Sequence, residues 1–372
     1  MTRVFSILDL YLLRVAVRAV GGALAVISAV ILLIQFEELS RSVGVRSDAG
    51  VADILWLTLL RSPGLILLLS PFVFLFGGIA AFVTLNRSSE LTAMRAAGVS
   101  AWRFIAPSAA LAFGTGALVV TILNPLAAGL SARFEVDRAR LMQSYLADAP
   151  REVWMRQGDD RDLVVIYAKS RDLKEDTLRL RAVSLFVYQK DAEGRLQFRR
   201  RIEAAEAVLR AGFWNLRDVR EAAPGQSAVR SDSMSIRSTL TAGAGAGAAL
   251  DSFASPEAVT FWGLPAAIRQ TELAGFSTMS LRLRLHQLLA TPVLFAAMSI
   301  LAAASSLRLS RQGGLALAAG GGAAIGFLVF FFNQMTGALA SADIIPPVLG
   351  AWAPPLVALL SGLAVLCYTE DG

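Results

Sequence analysis

Six long apolar runs punctuate the chain, three before and three after a polar centre, at residues 15–36, 64–85, 104–123, 288–307, 315–339 and 348–368. A helix needs about 20 mostly apolar residues to cross roughly 30 Å of hydrocarbon, so each run predicts a membrane span. Arg18 lies near the start of the first, where its stem lets the guanidinium reach the headgroups. Apolar residues 54–60 lengthen the second run, and Arg61, Ser62 and Pro63 predict a break or kink there.

The periodicity changes in the centre, residues 131–274. Short β-like runs follow one another: "DLVVIYAK" at 162–169, "VSLFVYQK" at 183–190, "RLQFRRR" at 195–201 and "GFWNLRDVR" at 212–220. "DAEG" at 191–194 predicts a hairpin turn between two of them. Several short strands at this spacing predict a sandwich, jelly roll or open barrel. "TAGAGAGAAL" at 241–250 is a low-complexity loop, and 255–275 predicts a turn and a short helix leading back to the membrane. The expected fold is an α-helical polytopic membrane protein with six transmembrane helices and an inserted all-β, jellyroll-like extracytoplasmic domain. Its expected boundaries are 1–130, 131–280 and 281–372.

Composition sharpens this. Only 17% of residues are charged, below the soluble norm of about 25%. Two thirds of them fall between Ser131 and Leu281, where acids and bases nearly balance, which argues against a nucleic-acid surface. Cys367 is the one cysteine, so no disulfide closes within the chain. The first apolar run lacks a small-x-small cleavage site and does not read as a cleaved signal peptide.

Arginines set the orientation. Arg3, Arg14, Arg18, Arg87, Arg95, Arg103, Arg308 and Arg311 collect on one side; the short loops opposite hold Arg41, Arg46, Arg61 and Asp343. The arginine-rich side is expected to be cytoplasmic, with both termini inside and the polar centre outside.

Familiar catalytic chemistry is missing from the sequence. There is no P-loop and no Cys/His cluster, and His286 is the sole histidine. No nucleophile–base pair stands out, and the spans contain essentially no acids, which argues against proton-coupled transport.

One short polar stretch remains, "NRSSELTAMRAAGVSAW" at 86–102, between the second and third runs. Ser88 or Ser89 can cap a helix, and Glu90 suits its first turn. Arg95 suits the last turn, and Gly98 can end the helix. Leu91, Met94 and Gly98 share one face. The helix is either a docking element for a partner or a solvated connector.

Ser89-Glu90-Leu91, Met94, "AAG" at 96–98, "ILDLYLLR" at 7–14 and "NQMTGALASADIIPPVLGAWAP" at 333–354 resemble the LptF/LptG permease family of lipopolysaccharide export. So does the order of parts: three spans, a β domain, three spans. "LDLYLL" and the 333–354 segment sit nearer the LptG branch than the LptF branch.

The resemblance implies a permease subunit of an ABC transporter that extracts lipopolysaccharide from the inner membrane. It implies a paralogous permease, LptF or LptG, a cytoplasmic LptB ATPase dimer, and a jellyroll bridge of LptC and LptA. No cofactor is expected in this chain; ATP and Mg belong to the partner ATPase. Ser89, Glu90, Leu91, Met94, Arg95 and Gly98 would couple to that ATPase. Gln35, Arg41, Arg46, Arg133 and Arg138 are candidates for the lipid headgroup, with Arg140 nearby. Gln35 stands where the family often places a lysine, and Glu37 and Glu38 flank Arg41. The "LALAAGGGAAIGFL" stretch at 315–328 either packs within the chain or forms a moving seam with another chain. Gly322, Ala323 and Gly326 would lie in that seam, and Phe327, Phe330 and Phe331 would meet acyl chains. Two other classes stay open on residues alone: a non-transporting membrane scaffold with a β interaction domain, and an intramembrane lipid-modifying enzyme.

Overall fold

The computed structural model describes residues 7–44, 50–141, 153–158, 162–174, 177–190, 196–210, 212–238, 259–273, 277–309 and 314–370. The chain divides into two units. One comprises residues 1–144, 260–264 and 279–372; the other comprises 145–259 and 265–278.

The first unit is helical. It contains α1 (Ile7–Leu39), α2 (Val51–Arg87), α3 (Glu90–Ala96), α4 (Ala101–Leu118) and α5 (Asn124–Leu141). After the sheet come α6 (Leu264–Leu273), which belongs to the second unit from residue 265 on, and then, in the first unit, α7 (Met279–Leu309), α8 (Gly314–Ser341) and α9 (Pro347–Glu370). Among the described residues, six helical stretches are long and apolar enough to cross a membrane. α7 packs against α2, α4, α8 and α9 and is the most buried of them. Small residues let it approach closely. A Cβ added at Gly116 on α4 would lie 2.5 Å from Pro292 Cα, and one at Gly78 on α2 would lie 2.6 Å from Ala302 Cβ. Ser108 and Ser299 share a buried hydrogen bond of 2.8 Å between α4 and α7.

α2 departs from expectation. It runs unbroken from Val51 to Arg87 with Pro63 and Pro71 inside it. Ser62 Oγ donates to Thr58 O at 2.6 Å, and Ser70 Oγ to Ile66 O at 2.7 Å. Each proline removes the donor for the carbonyl four residues earlier, Leu59 O and Leu67 O, while the serine before it bonds the carbonyl one residue further back.

The second unit is a six-stranded antiparallel sheet whose strands follow sequence order: β1 (Val153–Gly158), β2 (Asp162–Lys174), β3 (Thr177–Lys190), β4 (Leu196–Arg210), β5 (Phe213–Ala222) and β6 (Val229–Arg237). The inserted all-β domain is therefore present, and its described strands form a meander without crossovers. Residues 191–194 lie outside the described residues, but Lys190 pairs with Leu196 across the expected hairpin. The 241–250 tract also lies outside them.

Strict period-two alternation fails midway along the strands. The buried set runs Leu178, Leu180, then Val183, Leu185 on β3; Ile202, Ala204, then Ala207, Leu209 on β4; and Trp214, Leu216, then Val219 on β5. Each shift occurs at one transverse row, Ala182, Ala205 and Asp218, where the ladder skips a pair but keeps its register. Ala182 and Asp218 are left-handed, with φ of 49° and 50°. Such residues cost roughly 1–3 kcal/mol each. Here they reverse the pleat, so both halves of the strand bury side chains in one core. The exposed side carries ion pairs, including Arg179–Glu206 at 3.1 Å and Arg200–Glu221 at 2.7 Å.

Candidate functional site

Two clusters, at opposite ends of the helical unit, take in the α3 residues and one of the headgroup candidates, Arg138.

The first is α3. Ser89 precedes it in the left-handed region, φ 60°, and makes no side-chain cap bond. Ser88 Oγ instead turns back to Thr84 O and Leu85 O, both at 3.2 Å. The expected serine cap is thus absent, because Ser88 still closes α2. The other end behaves as the sequence suggests. Gly98 has φ 78°, its amide donates to Arg95 O at 2.9 Å, and the Val99 amide donates to Met94 O at 3.0 Å. This pair of bonds is a Schellman stop, and it needs a left-handed residue.

The apolar face of α3 points inward. Leu91 is 2% exposed and Met94 half-buried, both against Leu12, Phe82, Leu85 and Phe104. The Arg95 guanidinium sits 5.9 Å from the Phe104 ring centroid. Tyr11 Oη on α1 donates to Glu90 Oε2 at 2.8 Å. The outward face is therefore Thr92, Ala93 and Ala96, all exposed. Sequence reasoning fixed on the apolar face and passed over these three; a helix of seven residues has too little pattern to tell an anchor from an offered surface.

The second cluster forms where α1, α2 and α5 converge on a shared core of Leu39, Val43, Ile54, Leu57, Leu60 and Phe134. Two guanidinium groups meet the Phe134 ring: Arg61 at 5.3 Å and Arg138 at 5.9 Å from its centroid. Arg138 Nε is buried and has no hydrogen-bond partner among the described residues. Nearby, Trp56 Nε1 donates to Asp137 Oδ2 at 3.1 Å, and Arg140 pairs with Asp137 at 3.8 Å. From the sequence Arg61 reads as part of a break and as a short-loop charge on the side opposite the arginine-rich face, not as a headgroup candidate; it lies within α2.

The remaining headgroup candidates are placed differently. Gln35 is 6% exposed, and its amide donates to Glu38 Oε2 at 3.0 Å. Arg41 is exposed and ion-paired with Glu37. Arg133 is exposed, and Arg46 lies outside the described residues.

α8 has two faces. Gly322 fits against Ile79, and a Cβ at Gly326 would lie 2.6 Å from Leu75 Cδ2. These glycines pack α8 onto α2 of the same chain. Phe330 meets Phe72 at 5.5 Å between ring centroids. Phe327 and Phe331 stack on each other at 6.3 Å and face outward with Ala323.

A further contact lies between α4 and α5, where residues Val119–Leu123 widen into a π-helix. In an α-helix the amide of residue 125 would serve the carbonyl of Thr121, but Pro125 has no N–H. Trp262 Nε1 donates to Thr121 O at 3.1 Å instead, and Asn124 Oδ1 accepts from the Phe261 amide at 2.9 Å. Trp262→Phe is expected to lower stability by about 1 kcal/mol, the net worth of such a bond. Pro125→Ala restores a backbone donor, so in that background Trp262→Phe should be nearly neutral. Thermal unfolding of the four proteins in detergent measures the difference.

The comparison with known families bears on all of this. The family model described as lipopolysaccharide export system permease LptF/LptG matches residues 10–368. The chain belongs to the LptF/LptG family. The match takes in the first candidate span from residue 10, the other five spans whole, and every described strand of the sheet. No curated protein matches the chain. An LptF/LptG permease with six candidate spans is a multi-pass inner-membrane protein of lipopolysaccharide export. In this permease the two clusters occupy opposite ends of the helical unit, with α3 at one and the paired arginines at the other.

Proposed function

We propose that this permease is one half of the membrane core of an ATP-driven extractor, on the LptG side of the family. Its partner is the paralogous permease LptF. A cytoplasmic LptB dimer supplies ATP hydrolysis with Mg, and lipid passes to LptC and then LptA. Both termini face the cytoplasm and the sheet faces the periplasm. α3 carries this reading. It is a short helix bounded by two left-handed residues and seated by Leu91 and Met94, with small residues facing out. Thr92, Ala93 and Ala96 would let a partner approach closely, and the four seated or capping residues Glu90, Leu91, Met94 and Arg95 would fix the helix in place.

At the other end, the Arg61 and Arg138 guanidinium groups lie 5.3 and 5.9 Å from the Phe134 ring centroid. They suit the phosphates of a lipopolysaccharide headgroup, because guanidinium groups bind phosphate bidentately. Phe327 and Phe331 offer apolar surface to acyl chains.

Affinity purification of the tagged full chain tests the proposal. The expected result is a complex with a second permease and an ATPase dimer, whose hydrolysis rises several-fold with lipopolysaccharide. A chain that purifies alone, without ATPase, would point to a scaffold. Rescue of LptG-depleted rather than LptF-depleted cells tests the branch.

A further inference from the structure

α1 is the least buried of the candidate spans. Its buried residues are confined to its ends: Leu12 and Ala16 near the start, and Ile31, Gln35 and Leu39 near the finish. At the start it is fastened to α3. Leu8, Leu12 and Val15 share a core with Leu91 and Met94. The Tyr11–Glu90 hydrogen bond, 2.8 Å, joins residues 79 apart in sequence. The far end of α3 is held differently, by Arg95 over the Phe104 ring on α4. Ser89 and Gly98, both left-handed, close the helix on either side. α3 thus rests on α2 at Phe82 and Leu85, with one corner tied to α1 and the other to α4.

We infer that Tyr11 is a positioning residue: through Glu90 it ties α3 to α1, so that a push on the outer face of α3 is passed to the exposed first span, which packs along α2 with Val20 against Gly77. This rests on the proposed function, since it needs a partner that pushes on α3. It assigns Glu90 a role within the chain. The carboxylate is there to accept the hydrogen bond from the Tyr11 hydroxyl rather than to meet a basic residue of the ATPase.

The two roles separate by substitution. A glutamine at position 90 keeps an acceptor for Tyr11 and loses the charge; a leucine loses both. Tyr11→Phe removes only the donor. With the purified complex in nanodiscs, the readout is lipopolysaccharide-stimulated ATP hydrolysis divided by the basal rate, alongside the yield of co-purified ATPase. Glu90→Gln should keep the stimulation. Tyr11→Phe and Glu90→Leu should each lower it about fivefold, and the double variant no further, with ATPase yield intact. Loss of the ATPase in Glu90→Gln would show that the charge faces the partner and would overturn the inference. So would a silent Tyr11→Phe, or a fall in basal and stimulated rates together that tracks a lower melting temperature. If the wild-type chain captures no ATPase, the proposed function fails before this test begins.

Discussion

Gly116→Ala is expected to destabilise the protein by more than about 3 kcal/mol, the upper range for overpacking a filled site. The added Cβ would lie 2.5 Å from Pro292 Cα and 3.1 Å from Pro292 N. Both are backbone atoms of α7, so no side chain can rotate away. Relief requires α4 and α7 to separate, and that would also stretch the Ser108–Ser299 bond. Gly114, on the same helix, has nothing within 4 Å of such a Cβ. Gly114→Ala should therefore be neutral, or stabilising by up to about 1 kcal/mol through helix propensity. Thermal unfolding in detergent, with size-exclusion profiles, compares the pair. Equal melting temperatures for the two variants would mean that α4 and α7 do not approach as described.

The second large effect concerns the headgroup. Arg61→Ala combined with Arg138→Ala is expected to weaken binding of a phosphorylated glycolipid by about 100-fold. A charge-assisted hydrogen bond contributes about 1.5–3 kcal/mol, and each 1.4 kcal/mol is a factor of ten. Losing two at the low end gives that figure. Arg140→Ala is the control. Its side chain is 72% exposed and already faces Asp137, so its removal should change binding less than about twofold. Lysine at 61 and 138 should restore only part of the affinity, because an ammonium neither stacks on Phe134 nor binds phosphate in two-point fashion. Binding to lipopolysaccharide, measured against the same lipid stripped of phosphate, reads the effect. If the double variant lost affinity equally for both lipids, the arginines would be holding the fold and not the phosphates.

Some of this was legible in the chain. The six apolar runs became six helices because the hydrocarbon core sets both length and composition. Gly98 was readable as a helix stop, since only its φ of 78° allows the pair of bonds that close α3. The strands of the centre were readable from β-branched and aromatic runs. Their facing was not, because left-handed Ala182 and Asp218 reverse the pleat and neither residue type announces it.

The functional residues divide in the same way. Composition marked Gly322 and Gly326 as close-packing positions but not their neighbour, which is α2 of the same chain. Local pattern gave a helix at α3 with an apolar face, and only the cluster around Leu12, Phe82 and Phe104 decided that this face is the anchor. Arg61 and Arg138 meet on Phe134 from 77 residues apart, and Trp262 finds the carbonyl that Pro125 leaves free. By itself, then, the sequence determined the spans, the inserted β domain and the stop of α3. Each follows from hydropathy, periodicity or the backbone limits of one residue, all of which act over a few turns. Only the tertiary structure decided which face of each element is used. That depends on side chains brought together from separate elements, as Leu75 and Gly326 are, where neither period nor composition carries information about the partner.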